Sequence, residues 1–238
     1  MKKKNSRIVI LGSNSFIAKS FISLLKKKKH KYIPVDRKIV NFEKKNSIKK
    51  LKKVIKNKDI VIFVVAAAPV KNIQMLNRNL EMCRNIIEVL KVKLPKHLVY
   101  VSSDAVYSDS NLKIKETSMT VPDSLHGFMH LIREKMLSEL KCTKTFVRPT
   151  LVYGENDPHN GYGPNKFIRL AQKKLNLNIF GNGEERRDHI HVSNVAETIY
   201  YSMIKNYNGV INAVSNKVIS FKEIANVVKN NYPGIKII

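Results

Sequence analysis

Four side chains capable of proton chemistry stand in two short stretches near the middle of the sequence. Ser103 and Asp104 follow the apolar run His97-Leu98-Val99-Tyr100-Val101, and His126 and His130 lie in Ser124-Leu125-His126-Gly127-Phe128-Met129-His130. A hydroxyl can align a reacting oxygen, and a carboxyl or an imidazole can move a proton. The two histidines open an amphipathic run and, four residues apart, share one helix face. An unperturbed imidazole titrates near pH ~6.5, so the pair has the chemistry of proton donors, metal ligands or plain packing. A His-x-x-x-His pair without a following glutamate or third ligand falls short of a metal site, and no metal is expected.

The elements that must position these residues read as strands alternating with helices. Arg7-Ile8-Val9-Ile10-Leu11 is a buried parallel strand, and Gly12-Ser13-Asn14-Ser15-Phe16-Ile17-Ala18 is a small-residue turn running into a helical pattern. Strand, tight turn and helix set backbone N–H groups at a helix N-terminus, where a pyrophosphate can sit. Gly12, Ser13, Ser15, Phe16 and Ile17 are therefore candidate cofactor contacts. The second strand, Tyr32-Ile33-Pro34-Val35, ends in Asp36-Arg37. An acid about 20 residues past the glycine turn can accept from the ribose hydroxyls of NAD, while Arg37 could pair with the extra phosphate of NADP. NAD is favoured and NADP is possible; the plainer reading of Asp36 is a turn residue. A basic helix over 49–58 precedes the apolar strand of 59–69, whose end is small at Ala66 and Ala67, as a close cofactor requires. The fold class is α/β, a Rossmann-type doubly wound parallel sheet with a small, truncated substrate-binding lobe. Residues 1–154 and 189–213 form the dinucleotide-binding domain, and 155–188 and 214–238 the lobe.

Read together, these segments resemble the NAD(P)-dependent nucleotide-sugar epimerase/dehydratase family, the extended short-chain dehydrogenase/reductases. The family's glycine turn keeps only Gly12, with Ser15 and Ala18 at the other glycine positions. Asn79 falls in a segment like the family's strand-anchoring helix. Ser102-Ser103-Asp104-Ala105-Val106-Tyr107 resembles its active-site strand end, which implies cofactor contact at Ser102 and substrate contact at Ser103 and Asp104. Tyr107 is a further candidate hydroxyl there. Relatives with an acid after the serine can donate a proton from it, but dehydratases carry a second acid where this chain has Ala105. Arg148-Pro149-Thr150-Leu151-Val152-Tyr153-Gly154 resembles another family strand and turn, implying cofactor contact at Pro149 and Thr150 and substrate contact at Tyr153. Gly181 to Val192 is similar to the family's diphosphate-gripping segment, which makes Arg187 the substrate ligand and Asp188 a support of its loop. The resemblance puts His126 at the family's catalytic tyrosine and His130 at its lysine. It implies catalytic roles for Ser103, His126, His130 and Asp104, with His130 also on the cofactor ribose. The implied function is an NAD(P)-dependent oxidoreductase moving a hydride at a carbon of a nucleotide-diphosphate sugar. The alternative is a binding protein of the same fold without turnover. A homodimer is expected by the same resemblance. Asn194 with Glu197, and Ser220 with Glu223, read as helix caps.

Composition bounds the partners. In 238 residues there are 44 Lys+Arg against 18 Asp+Glu, a formal charge of +26. The lysines are spread along the chain without a nucleic-acid motif, so no nucleic-acid partner is expected. The cluster Lys26-Lys27-Lys28-Lys29-His30-Lys31 reads as a solvated helix end. No apolar run approaches bilayer length, and the basic start is too short for a signal peptide, so no membrane partner is expected. Cys83 and Cys142 make no disulfide framework, which fits a reducing cytoplasm.

Overall fold

Ile8–Leu11 (β1) is buried along its whole length, with Ile8 and Ile10 facing one layer and Val9 and Leu11 the other. That two-sided burial is what a central parallel strand demands. The computed structural model describes residues 6–109, 113–158, 161 and 163–238. Around β1 lie β2 (Tyr32–Val35), β3 (Ile60–Phe63), β4 (His97–Val101), β5 (Thr143–Pro149) and β8 (Gly209–Ala213). They form a six-stranded sheet in the order β2-β1-β3-β4-β5-β8, with every pairing parallel. A second sheet joins β6 (Leu151–Tyr153), β7 (Arg186–His191) and β9 (Val218–Ser220).

One face of the main sheet is covered by α1 (Phe16–Lys27) and α6 (Val192–Ile204), through Phe21, Leu25, Val195 and Ile199. The other face takes α2 (Ser47–Val54), α3 (Ile73–Val92) and α4 (Leu125–Ser138), through Leu51, Ile86, Leu90 and Leu137. Helices on both faces of a parallel sheet make the Rossmann-type α/β class expected from the sequence. A third cluster joins α5 (Pro164–Gln172) to α7 (Phe221–Asn231) through Phe167, Phe221 and Ile224.

Local differences from the sequence reading have physical causes. The helix expected over 49–58 stops at Val54, because Ile55 turns extended and buries in the core. The strand expected to reach Pro69 leaves the ladder after Phe63; Ala67 is then held by Asn79 instead of by a strand. The Asn194 cap does not form: α6 starts at Val192, and His191 accepts from the Ser193 N–H. The Ser220–Glu223 capping box forms completely, with bonds of 3.1 and 2.6 Å.

His97 at the start of β4 is buried neutral. The Thr145 hydroxyl donates to the Tyr207 carbonyl at 2.7 Å, so its oxygen receives the His97 Nε2–H at 2.9 Å. Burial lowers the His97 pKa to about 4. The unfolded chain takes up this proton near pH ~6.5, so the native state loses stability as pH falls through that value towards 4. Urea unfolding midpoints should therefore drop between pH 7 and 4.5, and His97→Gln should flatten that part of the slope. An unaltered slope in the variant would show that His97 contributes nothing.

Candidate active site

The carboxyl ends of the strands hold the candidate residues, as open parallel sheets require. Gly12 has φ +90°, and a Cβ there would stand 3.0 Å from the Val65 backbone nitrogen. Only glycine lets the first turn pass so close to the end of β3. Ser15 caps α1 by accepting from the Ala18 N–H, and Ser13 is buried behind the turn. Phe16 and Ile17 open α1. Beside this turn lies a cavity of about 270 Å³ lined by Gly12, Ser15, Asp36, Arg37, Ala66 and Ala67. The sequence reading missed Asn14, Glu43 and Arg78 on its wall. Asp36 closes a turn and also lines the cavity. Its Oδ1 accepts from the Lys38 and Ile39 N–H groups, closing a turn, while Oδ2 accepts from Asn14 at 2.8 Å on the cavity wall. Arg37 and Arg78 are both paired with Glu43, whose carboxyl they hold below its ordinary range, Arg78 first.

Asn79 is fully buried and anchors the small-residue segment after β3. Its side chain accepts from the Ala67 N–H and donates to the Ala67 and Met75 carbonyls. Arg133 is also fully buried and donates to the carbonyls of Asn79 and Val65. It occupies the core stripe Met129–Arg133–Leu137 of α4, and an arginine on an apolar stripe is the one sequence signal that marks it.

The two histidines follow the opening turn of α4, whose cap is Ser124, accepting from the Gly127 N–H at 3.1 Å. Their rings stand edge to face with centroids 4.8 Å apart. His126 is half-buried and its Nδ1 lies 3.5 Å from the Val70 N–H. His130 is buried, and its Nδ1 lies 2.7 Å from the Tyr100 hydroxyl. Burial first, then the charges of His126 and Arg133, hold its pKa well below the ordinary value, so it is neutral at pH 7. Burial likewise raises the Tyr100 hydroxyl pKa.

Ser103 and Asp104 meet α4 directly. A Cβ on Gly127 would stand 1.9 Å from the Ala105 carbonyl oxygen, within the single 3-10 turn of Asp104–Val106. Ser103 accepts from the Ala105 N–H and donates to Asp104, both at 3.2 Å. Burial pushes the Asp104 pKa up to about 6, against the opposing Ser103 hydrogen bond.

Other candidates have scaffold partners. Ser102 donates to Glu134 at 2.6 Å, and Glu134 pairs with Arg148 in a buried bridge. Tyr107 is buried, accepting from Arg148 and donating to Asn212. Pro149 ends β5, and Thr150 donates to Asp188, which also collects Ser215 and Lys217 and so supports its loop. Tyr153 lies edge-on to His191 at 5.3 Å. Arg187 is engaged by Asp109 through two bonds of 3.0 and 2.9 Å, and by Glu185. Among the described residues no group of three His, Cys, Asp or Glu side chains is arranged to hold a metal.

A model of the NAD dependent epimerase/dehydratase family matches residues 8–216. The chain belongs to this family. It is 28% identical over 203 residues to a UDP-N-acetyl-alpha-D-glucosaminuronate decarboxylase of Bacillus cytotoxicus, matching 76% of this chain but 60% of that one. It is 27% identical over 236 residues to an uncharacterized UDP-glucose epimerase of Bacillus subtilis, matching 81% of this chain and 71% of that protein. Among solved structures it is similar to the UDP-glucose 4-epimerase of Thermus thermophilus in complex with NAD. That likeness has a TM-score of 0.87 at 19% identity and covers 98% of this chain and 85% of that one. The family model thus spans both the strand end that carries Ser103 and Asp104 and the helix that carries His126 and His130.

Gly127→Ala tests how tightly α4 seats on the Ser103–Asp104 turn. Overpacking against backbone should cost on the order of 3 kcal/mol in urea unfolding. Tyr100→Phe should leave the buried His130 Nδ1 without its hydrogen-bond partner, costing about 1–3 kcal/mol in urea unfolding.

Proposed function

We propose that this family member is an NAD-dependent enzyme that acts on a nucleotide-diphosphate sugar by hydride transfer at a sugar carbon. The observation that carries the proposal is Asp104, with its pKa raised to about 6, hydrogen-bonded to Ser103 where the first turn of α4 meets the strand end. The dinucleotide fits the residues present: Gly12 leaves the space that a Cβ would fill, α1 offers its N-terminus, and Asp36 lines the cavity. When bound, NAD would supply a hydride acceptor and donor. Glu43 already occupies both Arg37 and Arg78, so an extra ribose phosphate would have to displace it; this favours NAD over NADP.

In this reading Ser103 aligns the sugar oxygen and Asp104 takes its proton on a carboxylate oxygen. His126 gives that oxygen a hydrogen bond from Nε2–H, since its Nδ1 faces the Val70 N–H. His130 cannot supply the permanent charge of a lysine, but as a buried neutral imidazole it can hydrogen-bond a ribose hydroxyl. Arg133 carries the fixed charge one turn further along α4. Arg187 exchanges Asp109 for the substrate diphosphate, a bidentate anion of the same kind. Segments 155–188 and 214–238, which carry the α5–α7 cluster, form the substrate lobe. Two copies pair through the outer faces of α3 and α4, where Phe128 and Ile132 are exposed one turn apart. None of the relatives named above is described as a binder without turnover, so that alternative gains no support from them.

Asp104 must be ionised to accept the proton, so kcat/KM with a UDP-sugar should rise through pH 6 and then level off. Asp104→Asn should lose that limb and at least about 100-fold in kcat, while His126→Ala should lose about tenfold. Retention of both the limb and the rate in Asp104→Asn would overturn the assignment. Thermal unfolding should shift upward with NAD and much less with NADP, and no shift with either would remove the cofactor reading.

A further inference from the structure

The opposite end of the molecule carries charge that the nucleotide site does not use. The starts of β1 to β5 are in register: Ile8 pairs with Tyr32 and Ile60, Ile60 with His97, and His97 with Thr143. The residues just ahead of four of these strands, Lys31, Lys58, Lys96 and Lys141, therefore share one end of the sheet, and all are exposed. Helices α1 and α2 finish at the same end with lysines 26–29 and with Lys52 and Lys53. Backbone bonds from Lys58 to Leu94 and from Lys96 to Asp59 knit the neighbouring loops, and His30 reaches Tyr200 on α6 at 3.1 Å. Of the 18 acidic residues, only Glu139 and Asp59 stand in a last helical turn or a helix-to-strand loop here, and Asp59 is buried against Arg7.

Favourable helix dipoles account for a cation or two at each helix end. They do not account for the apolar side chains exposed among the lysines. Val92 is 61% exposed and Ile204 52%, with Leu94 and Tyr207 also open at this end.

We propose that this end is a docking surface for an anionic lipid bilayer, with the lysines against the headgroups and Val92, Leu94 and Ile204 in the interface. From β2 to β5 the strand starts take four steps of about 4.8 Å, which spreads the charge over roughly 19 Å, wide enough to meet several headgroups at once. Lysines on flexible stems suit an array of headgroups without fixed spacing. A nucleic-acid reader would be expected to offer arginine forks or stacking aromatics; here Arg7 is held by Asp59, and Tyr207 stands at the rim. Basic and apolar side chains interleaved on one face are the pattern of surface-bound proteins. No described helix is long and apolar enough to cross a membrane, so the contact is with the surface. The expectation of no membrane partner rested on the lack of a bilayer-length apolar run, which bears on crossing a membrane; a surface contact needs only a charged face, and the fold gathers lysines that are scattered in sequence into one. Docked this way, the nucleotide cavity at the other end of the strands faces solution.

The test is co-sedimentation of the whole chain with phosphatidylcholine vesicles, with and without about 30% phosphatidylglycerol. Binding is expected only to the anionic vesicles and should weaken sharply between about 0.1 and 0.5 M salt. The fourfold variant Lys31→Glu, Lys58→Glu, Lys96→Glu, Lys141→Glu should bind at least about tenfold less. A control with the same net charge, Lys173→Glu, Lys174→Glu, Lys222→Glu, Lys229→Glu, should stay within about twofold of the parent. Val92→Ser with Leu94→Ser should weaken binding at least about threefold, with circular dichroism and melting temperature confirming that each variant folds. Equal loss in both lysine sets, indifference to the apolar pair, or tighter binding to a random DNA duplex than to vesicles at the same salt would each overturn the proposal.

Discussion

Two adjacent ionised residues inside α4 hold the site end of this protein together. Arg133 and Glu134 are both buried, and they pull in different directions. Arg133 ties the helix to the ends of β3 and α3 through Val65 and Asn79, while Glu134 ties it to β4 and β5 through Ser102 and Arg148. Taking such charges out of water costs several kcal/mol each, so they persist only when their hydrogen-bonding capacity is filled. Here it is filled, and the geometry that fills it fixes the rotation of α4. His126 and His130 inherit their positions from that rotation.

The same network accounts for the unusual electrostatics of the site. Arg133 sits beside both His130 and the Tyr100 hydroxyl and depresses the pKa of each, although burial is the larger influence on both. Burial raises the Asp104 pKa to about 6, and Asp104 lies on the other side of the contact between Gly127 and Ala105. On the far side of the cavity, Glu43 gathers Arg37 and Arg78, and with Asp36 the wall carries two acids against two arginines.

Much of this was legible in the chain. The β1–Gly12–α1 unit follows from a β-branched run, a glycine and a capping serine, all local signals acting within a few residues. The Ser220–Glu223 box is local for the same reason. The Asn194 cap failed because α6 begins where β7 ends, and that point is set by pairing with β6. Asn79 and Arg133 carry no local mark of their partners, which lie 12 and 54 residues away in sequence. The pairing of Arg187 with Asp109 was not legible, because Asp109 comes from a loop 78 residues away.

The sequence by itself determined the α/β class, the β1–Gly12–α1 turn and the placing of Ser103 and Asp104 at a strand end and of His126 and His130 on one helix. Periodicity, glycine placement and helix caps act over distances shorter than one element, so they can be read without a fold. Only the tertiary structure decided the protonation of His130, the raised pKa of Asp104 and the gathering of scattered lysines at one end of the sheet. Those depend on burial and on strand register, which bring together side chains far apart in the chain. A charge evenly spread along a sequence becomes a face once parallel strands begin in one row.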